Sequence, residues 1–258
     1  MIYFAVGIIA TIFGALAGLG GGVIIKPVLD LLGDYDVGTI SILSAATVFS
    51  MSVVSLINSR KSEVTVNVKQ SFTIAIGSIV GGFIGKVLFN QIVDWIGISD
   101  LVTVIQSVMI ASLMIVIYVL VRHREKFTKR NVHNKVAIFC MGIILGLIAA
   151  FLGIGGGPLN VAILSMFFAM SAKEAALNSI FIIFFSQLSA LMLTAFSTGF
   201  ASFDLSMLGF MIVGGVSGGL IGSRISRMVS NETVLKIFMV GIVGIICISV
   251  FNIVRYFI

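Results

Sequence analysis

Hydrophobic residues in this chain do not alternate with polar ones or keep to a narrow stripe; they run. Apolar stretches cover residues 2–32, 39–57, 71–90, 101–121, 136–170, 177–196, 205–222 and 234–256, with short and mostly polar connections. About 20 apolar residues in a helix cross a hydrocarbon core about 30 Å thick. Backbone groups in lipid must also be satisfied within their own segment. The pattern therefore predicts an all-α polytopic membrane protein.

Two of the stretches are too long for one crossing. Residues 136–170 as a single helix would reach about 50 Å, against a core of about 30 Å. Both long stretches carry the same interruption, Gly18-x-Gly20-Gly21-Gly22 and Gly153-x-Gly155-Gly156-Gly157. Each helical glycine costs roughly 1 kcal/mol relative to alanine, so three adjacent ones predict a break. Pro27 and Pro158 follow the two runs, and proline suits the first turn of a new helix.

A second pair of segments matches in the same order: "GSIVGGFIGK" (Gly77–Lys86) and "GGVSGGLIGS" (Gly214–Ser223). Glycines at three- and four-residue spacing predict close helix packing. Two matches in register predict a duplication, with a first repeat over residues 1–125, a basic linker over 126–135 and a second repeat over 136–258.

Composition agrees with this class. The chain of 258 residues is 59% hydrophobic and 10% charged, too few charges for a soluble surface. The net charge of +6 does not point to nucleic acid, because six Lys/Arg concentrate in Arg122–Lys135, between apolar runs. That is the positive-inside pattern, and it places this loop in the cytoplasm. The first segment has no basic leader and is read as retained. Cys140 and Cys247 lie within apolar runs and are expected to be buried, inert thiols.

Charge also bears on the path of the long stretches. If each is a re-entrant hairpin, the loops with Asp34/Asp36, Asp94/Asp100 and Ser197–Asp204 fall outside, and Arg60, Lys61, Arg224 and Arg227 fall inside. A single crossing by residues 136–170 would reverse the placements of Ser197–Asp204 and of Arg224 and Arg227, so the hairpin satisfies the rule better. Each repeat is then one glycine-broken, re-entrant pair plus three spans. An odd span count inverts the second repeat relative to the first.

Inverted repeats with broken helices are a transporter arrangement. A helix that starts at mid-membrane presents unpaired N–H groups and a partial positive charge, a ready anion site. The candidate ligands are the tips Gly20, Gly21, Gly22 and Gly155, Gly156, Gly157, with Asn160 just beyond the second. Steps of 100° place Ser44, Thr47, Ser50, Ser55 and Asn58 on one stripe, and Asn178, Ser179, Ser186 and Ser189 on another, with Gln187 pointing elsewhere. Such donors also serve as interhelical ties. Lys26 is an ionisable group in an apolar stretch and a functional candidate by default, with Asp30 one turn on as a possible partner. Lys86 and Arg224 end the glycine-rich helices and are read as interfacial anchors, as are Trp95 and Tyr256; His123 and His133 belong to the solvated loop. No P-loop, catalytic triad or metal-ligand spacing is present, so no cofactor is expected and an enzyme is the last of the readings.

The double Gly-x-Gly-Gly-Gly signature resembles the TauE/SafE family of sulfite-exporter-like and toluene-sulfonate-uptake permeases. Gly18–Gly22 with Pro27 fits the first copy. In the second, proline follows at once as Pro158, and Ala162 stands where Pro27 stands in the first. The resemblance spans essentially the whole chain. It implies a bacterial or archaeal plasma-membrane transporter for sulfite, sulfonates or related sulfur-containing anions, and it fixes neither direction nor a coupling proton or sodium ion. Lys26 is not carried over from the family motif. A passive anion channel and a membrane accessory subunit are the rival readings, and the oligomeric state is open.

Overall fold

The computed structural model describes residues 2–60, 64–96, 99–123, 132, 134–197 and 199–257. Among them are ten helices and no strand: α1 (Ile2–Ala17), α2 (Gly22–Leu32), α3 (Val37–Ser59), α4 (Val68–Ile96), α5 (Ser99–Arg122), α6 (Lys135–Leu152), α7 (Gly157–Phe167), α8 (Ala172–Ser197), α9 (Leu208–Met228) and α10 (Asn231–Phe257). Seven of these, all but α1, α2 and α7, are long and apolar enough to cross a membrane. Most of Arg122–Lys135, together with Lys61, His133 and the Trp95 side chain, lies outside the described residues.

Both long stretches divide at their glycine runs. Gly18, Gly20 and Gly21 have φ of 74°, 82° and 73°, and Gly153, Gly155 and Gly156 have 66°, 69° and 74°. A side chain in this left-handed region costs roughly 1–2 kcal/mol, so three positions of each run need glycine for the turn itself. The last glycine of each run needs it for space. A Cβ on Gly157 would fall within the backbone of Leu19, and one on Gly22 would lie 3.2 Å from the Ser44 hydroxyl. Pro158 sits in the first turn of α7. Pro27 sits inside α2.

Each broken pair returns to the end at which it began. The Tyr3 hydroxyl donates to the Asp34 carboxylate, and the Tyr3 and Tyr35 rings meet edge-on at 5.6 Å, joining the start of α1 to the end of α2. Val132 N–H donates to Phe167 O at 3.1 Å, joining the approach to α6 with the end of α7. The two pairs open at opposite ends of the bundle. Tyr35 shares its end with Ser206, before α9 (3.3 Å). At the other end Asn58 of α3 meets Ser223 and Arg227 of α9, and Lys173 of α8 meets Arg227 O.

Helix packing is reciprocal between the halves. α1 lies on α9 and α6 on α4; α9 then lies on α3 and α4 on α8; α2 meets α10 and α7 meets α5. Glycine makes the first two approaches possible. Cβ atoms on Gly77, Gly81 and Gly85 would meet the backbone of α6 at Phe139, Ile143 and Leu147, and those on Gly214 and Gly222 would meet α1 at Phe4 and Ile12. The glycine faces predicted from spacing are therefore used within the chain. Leu19, Val23, Leu145, Ile154 and Phe238 form the centre of the core. The periphery is apolar, with Val116, Phe210, Val240 and Phe251 more than half exposed, as a lipid-facing surface requires. Cys140 and Cys247 belong to that surface, which corrects the expectation that they are buried: each faces outward on its helix.

Candidate functional site

The two glycine turns pack against each other in the middle of the bundle. Ser179 Oγ lies 2.7 Å from Gly18 O and 3.3 Å from Gly157 O, so one hydroxyl touches both turns. Leu19 rests on Gly157.

A cavity of about 890 Å³ extends from the Asp34/Asp36 end to the second turn. Lys26, Gln106, Gly153, Gly155, Gln187 and Ser186 line its deep part, and Lys86, Thr194 and Asp36 its outer part. Lys26 is 2% exposed. It donates to Gln106 Oε1 at 2.8 Å and to Leu152 O at 3.3 Å, while Gln106 Nε2 donates to Phe151 O at 3.0 Å. Together these two side chains satisfy carbonyls where α6 stops at its break, at the negative end of its dipole. Glycine at 153 is needed here as well, since a Cβ would sit against Lys26 Nζ. Asp30, the partner expected for Lys26, forms no ion pair with it within 4 Å among the described residues.

Two lysines, Lys26 and Lys86, and one carboxylate, Asp36, line the cavity. Lys86 donates to Thr194 Oγ1 at 3.2 Å and lies inside the cavity rather than at a lipid interface, which corrects its reading as an anchor. Asp36 caps α3 instead of opposing the lysines: its carboxylate accepts from Gly38 N (2.8 Å), Thr39 N (3.1 Å) and Thr39 Oγ1 (2.5 Å). Burial pushes its carboxyl up, but the hydrogen bonds from Thr39 and Gly38 outweigh this and hold it below the usual carboxylate value.

The residues singled out in the sequence divide into three groups. Lys26, Gly155 and Ser186 line the cavity, with Ser186 Oγ 3.0 Å from Ser78 Oγ. Gly20, Gly21 and Gly22 are packed against Ile183, Ala10 and Ser44, and Gly156 against Ala149; the cavity does not reach them. Asn160, 2% exposed, sits beside Gly156, and its Oδ1 has no partner. The others hold helices together. Thr47 donates to Leu43 O at 2.6 Å and backs onto Gly215. Asn178 accepts from Asn67 N (2.9 Å) and Ser71 Oγ (2.6 Å). Gln187, set aside because it left the stripe, lines the cavity, and its amide lies 3.0 Å from where a Cβ on Gly155 would be. Gln106 was missed altogether. Its signal was an amide alone in the apolar run 101–121.

Comparison with known proteins decides the family. The profile of the family described as sulfite exporter TauE/SafE matches residues 3–250. The chain belongs to the TauE/SafE family. A probable membrane transporter protein of Methanocaldococcus jannaschii is 28% identical, over 93% of this chain and 91% of the relative. A probable membrane transporter protein of Bacillus subtilis is 24% identical, over 96% of each. This TauE/SafE member is a multi-pass plasma-membrane transporter protein.

Proposed function

We propose that this protein is a secondary transporter of a small sulfur-containing anion such as sulfite or a sulfonate, working by alternating access. The anion binds where the cavity ends at the second glycine turn. Lys26 supplies charge, with two of its three N–H bonds already engaged and the third available. Gln187, Ser78 and Ser186 supply neutral donors, and the turn at Gly153–Gly155 admits the ligand close to the backbone. The observation that carries this reading is the charge of the cavity: two lysines line it, and the acid on its wall is committed to a helix cap.

The repeats 1–125 and 136–258 are proposed to be inverted, with Arg122–Lys135 cytoplasmic. The opposed openings of the two broken pairs support this, as does the gathering of Asp34, Asp36 and Asp204 at one end and Arg60, Lys173 and Arg227 at the other. The large cavity is then the outward-facing one.

Uptake of labelled sulfite into proteoliposomes tests the reading, alongside thiosulfate, a small sulfonate and chloride, with and without an ion gradient. Saturable, selective uptake supports a carrier. Non-saturating flux of all four anions would make the protein a channel. No flux from folded, inserted protein would overturn the transport reading and favour an accessory subunit.

A further inference from the structure

We infer that a sodium ion binds between α2 and α10, beside the helix face that carries Lys26. The two helices run side by side in a defined register. Asn252 Nδ2 donates to Pro27 O at 3.2 Å, and three residues on, Arg255 Nη1 donates to Leu31 O at 2.5 Å. Asn252 Oδ1 is buried without a partner, and so is the Oγ of Ser249, a residue 1% exposed. Ser249 and Asn252 are three residues apart and share one helix face, the face on which Asn252 meets α2.

That helix contributes oxygens of its own. Pro27 lies inside α2 and has no N–H to close the turn onto the carbonyl of Val23. The register that sets Asn252 against Pro27 sets Ser249, one turn earlier, at the level of Val23. Helical steps put Val23, Pro27 and Asp30 within about 60° on α2, with Lys26 about 40° beyond Asp30, and Asp30 forms no ion pair within 4 Å among the described residues. A backbone carbonyl, an amide oxygen, a hydroxyl and one carboxylate are thus brought to one interface.

Oxygen-only donors suit a hard cation. A single carboxylate among neutral oxygens suits a monovalent one, and carbonyls freed in interrupted helices coordinate sodium in other transporters. The nearby cations do not occupy the place: Lys26 is turned to Gln106 and Leu152 O, and Arg255 to Leu31 O. Because α2 holds Lys26 at the end of the cavity, a cation that fixes α2 against α10 also fixes the anion-binding lysine. This coupling role rests on the transporter reading; the cation site itself does not.

The test needs no transport. Thermal unfolding of the purified, detergent-solubilised full chain is followed while sodium replaces choline at constant ionic strength and pH, with potassium as a second control. A saturable, sodium-selective rise in the unfolding temperature is expected, as for any ligand bound only to the folded state. Ser249→Ala should weaken the apparent sodium affinity about tenfold, and Asp30→Asn should abolish the rise; Ser249→Ala, the smaller change, keeps the test decisive if Asp30→Asn does not fold. Equal stabilisation by all three cations, or a sodium effect unchanged in Ser249→Ala, would overturn the site. Stabilisation by acid alone, lost in Asp30→Asn, would replace sodium with a proton on Asp30.

Discussion

The two ends of the bundle are built from corresponding parts and have opposite shapes. One holds the cavity of about 890 Å³; the other holds a pocket of about 40 Å³. Aligning Gly22 with Gly157 makes Ser41, Ile42 and Ala45, on the wall of the large cavity, correspond to Ala176, Leu177 and Ile180, on the wall of the small one. Thr194 corresponds to Ser59 on the same alignment, and aligning Gly77 with Gly214 makes Lys86 correspond to Ser223. The difference is in what ties each end. At the small pocket Asn58 donates to Ser223 Oγ at 2.7 Å, Arg227 donates to Asn58 Oδ1 at 3.3 Å, and Lys173 donates to Arg227 O at 3.4 Å. At the large cavity the counterparts of Ser223 and Ser59 meet instead, Lys86 donating to Thr194 Oγ1 at 3.2 Å. The same helices, open at one end and laced at the other, are what an alternating mechanism would use.

The most damaging way to break this contrast is at the wall between the cavities. Gly157→Ala drives a methyl group into the backbone of Leu19. Overpacking against a main chain that cannot move aside costs roughly 1–3 kcal/mol, and transport should be lost with a lower unfolding temperature. Gly155→Ala is the comparison: there the obstacle is the Gln187 amide, a side chain able to move, although the φ of 69° still disfavours alanine. Equal behaviour of the two variants would mean that contact between the turns is unimportant.

Lys26→Met comes next. It removes the charge at the end of the large cavity and leaves the carbonyl of Leu152 without a donor. Hydrogen bonds to charged groups contribute roughly 1.5–3 kcal/mol, so anion affinity should fall by about tenfold or more in a direct binding titration. Unchanged affinity would confine Lys26 to capping α6.

Arg227→Gln attacks the laced end. It removes the side-chain hydrogen bond of Arg227 to Asn58 Oδ1. A bond from a charged group contributes roughly 1.5–3 kcal/mol when buried and less where water reaches it, and labelling of a cysteine placed at Ser59 should rise as that end opens more often. Labelling that stays flat would show that the lacing does not hold the end shut.

The smallest effect is expected at Asp36. Losing an N-cap costs about 1 kcal/mol, so Asp36→Ala should lower the unfolding temperature slightly and leave binding intact. The folded carboxyl lies below its ordinary value. Its stabilisation is therefore complete above the ordinary carboxylate range and is lost as pH falls through the depressed value. Acid titration of stability in the parent and the variant should converge at the low end.

Much of the fold could be read from the chain because its rules are local. Run length marks membrane helices, three adjacent glycines mark a break, and glycines four apart mark a packing face. The candidate site was less legible, because it depends on who meets whom. Lys26 stood out as a charge among apolar residues, but its partners Gln106 and Leu152 come from other helices and no spacing announces them. Thr47 and Asn178 share the polar character of ligands and serve as ties, a distinction that only packing makes. Lys86 was misread because a lysine ending an apolar run looks the same whether it meets headgroups or a cavity.

One further consequence follows from the glycine contacts of α1 on α9 and α6 on α4. Each half lends its first helix to the other, so the halves are interlaced rather than juxtaposed. A half made alone would display a bare glycine groove with nothing to fill it. By contrast, a chain cut within residues 124–131 loses none of these contacts, and its two fragments, co-expressed, should find each other and rebuild the whole.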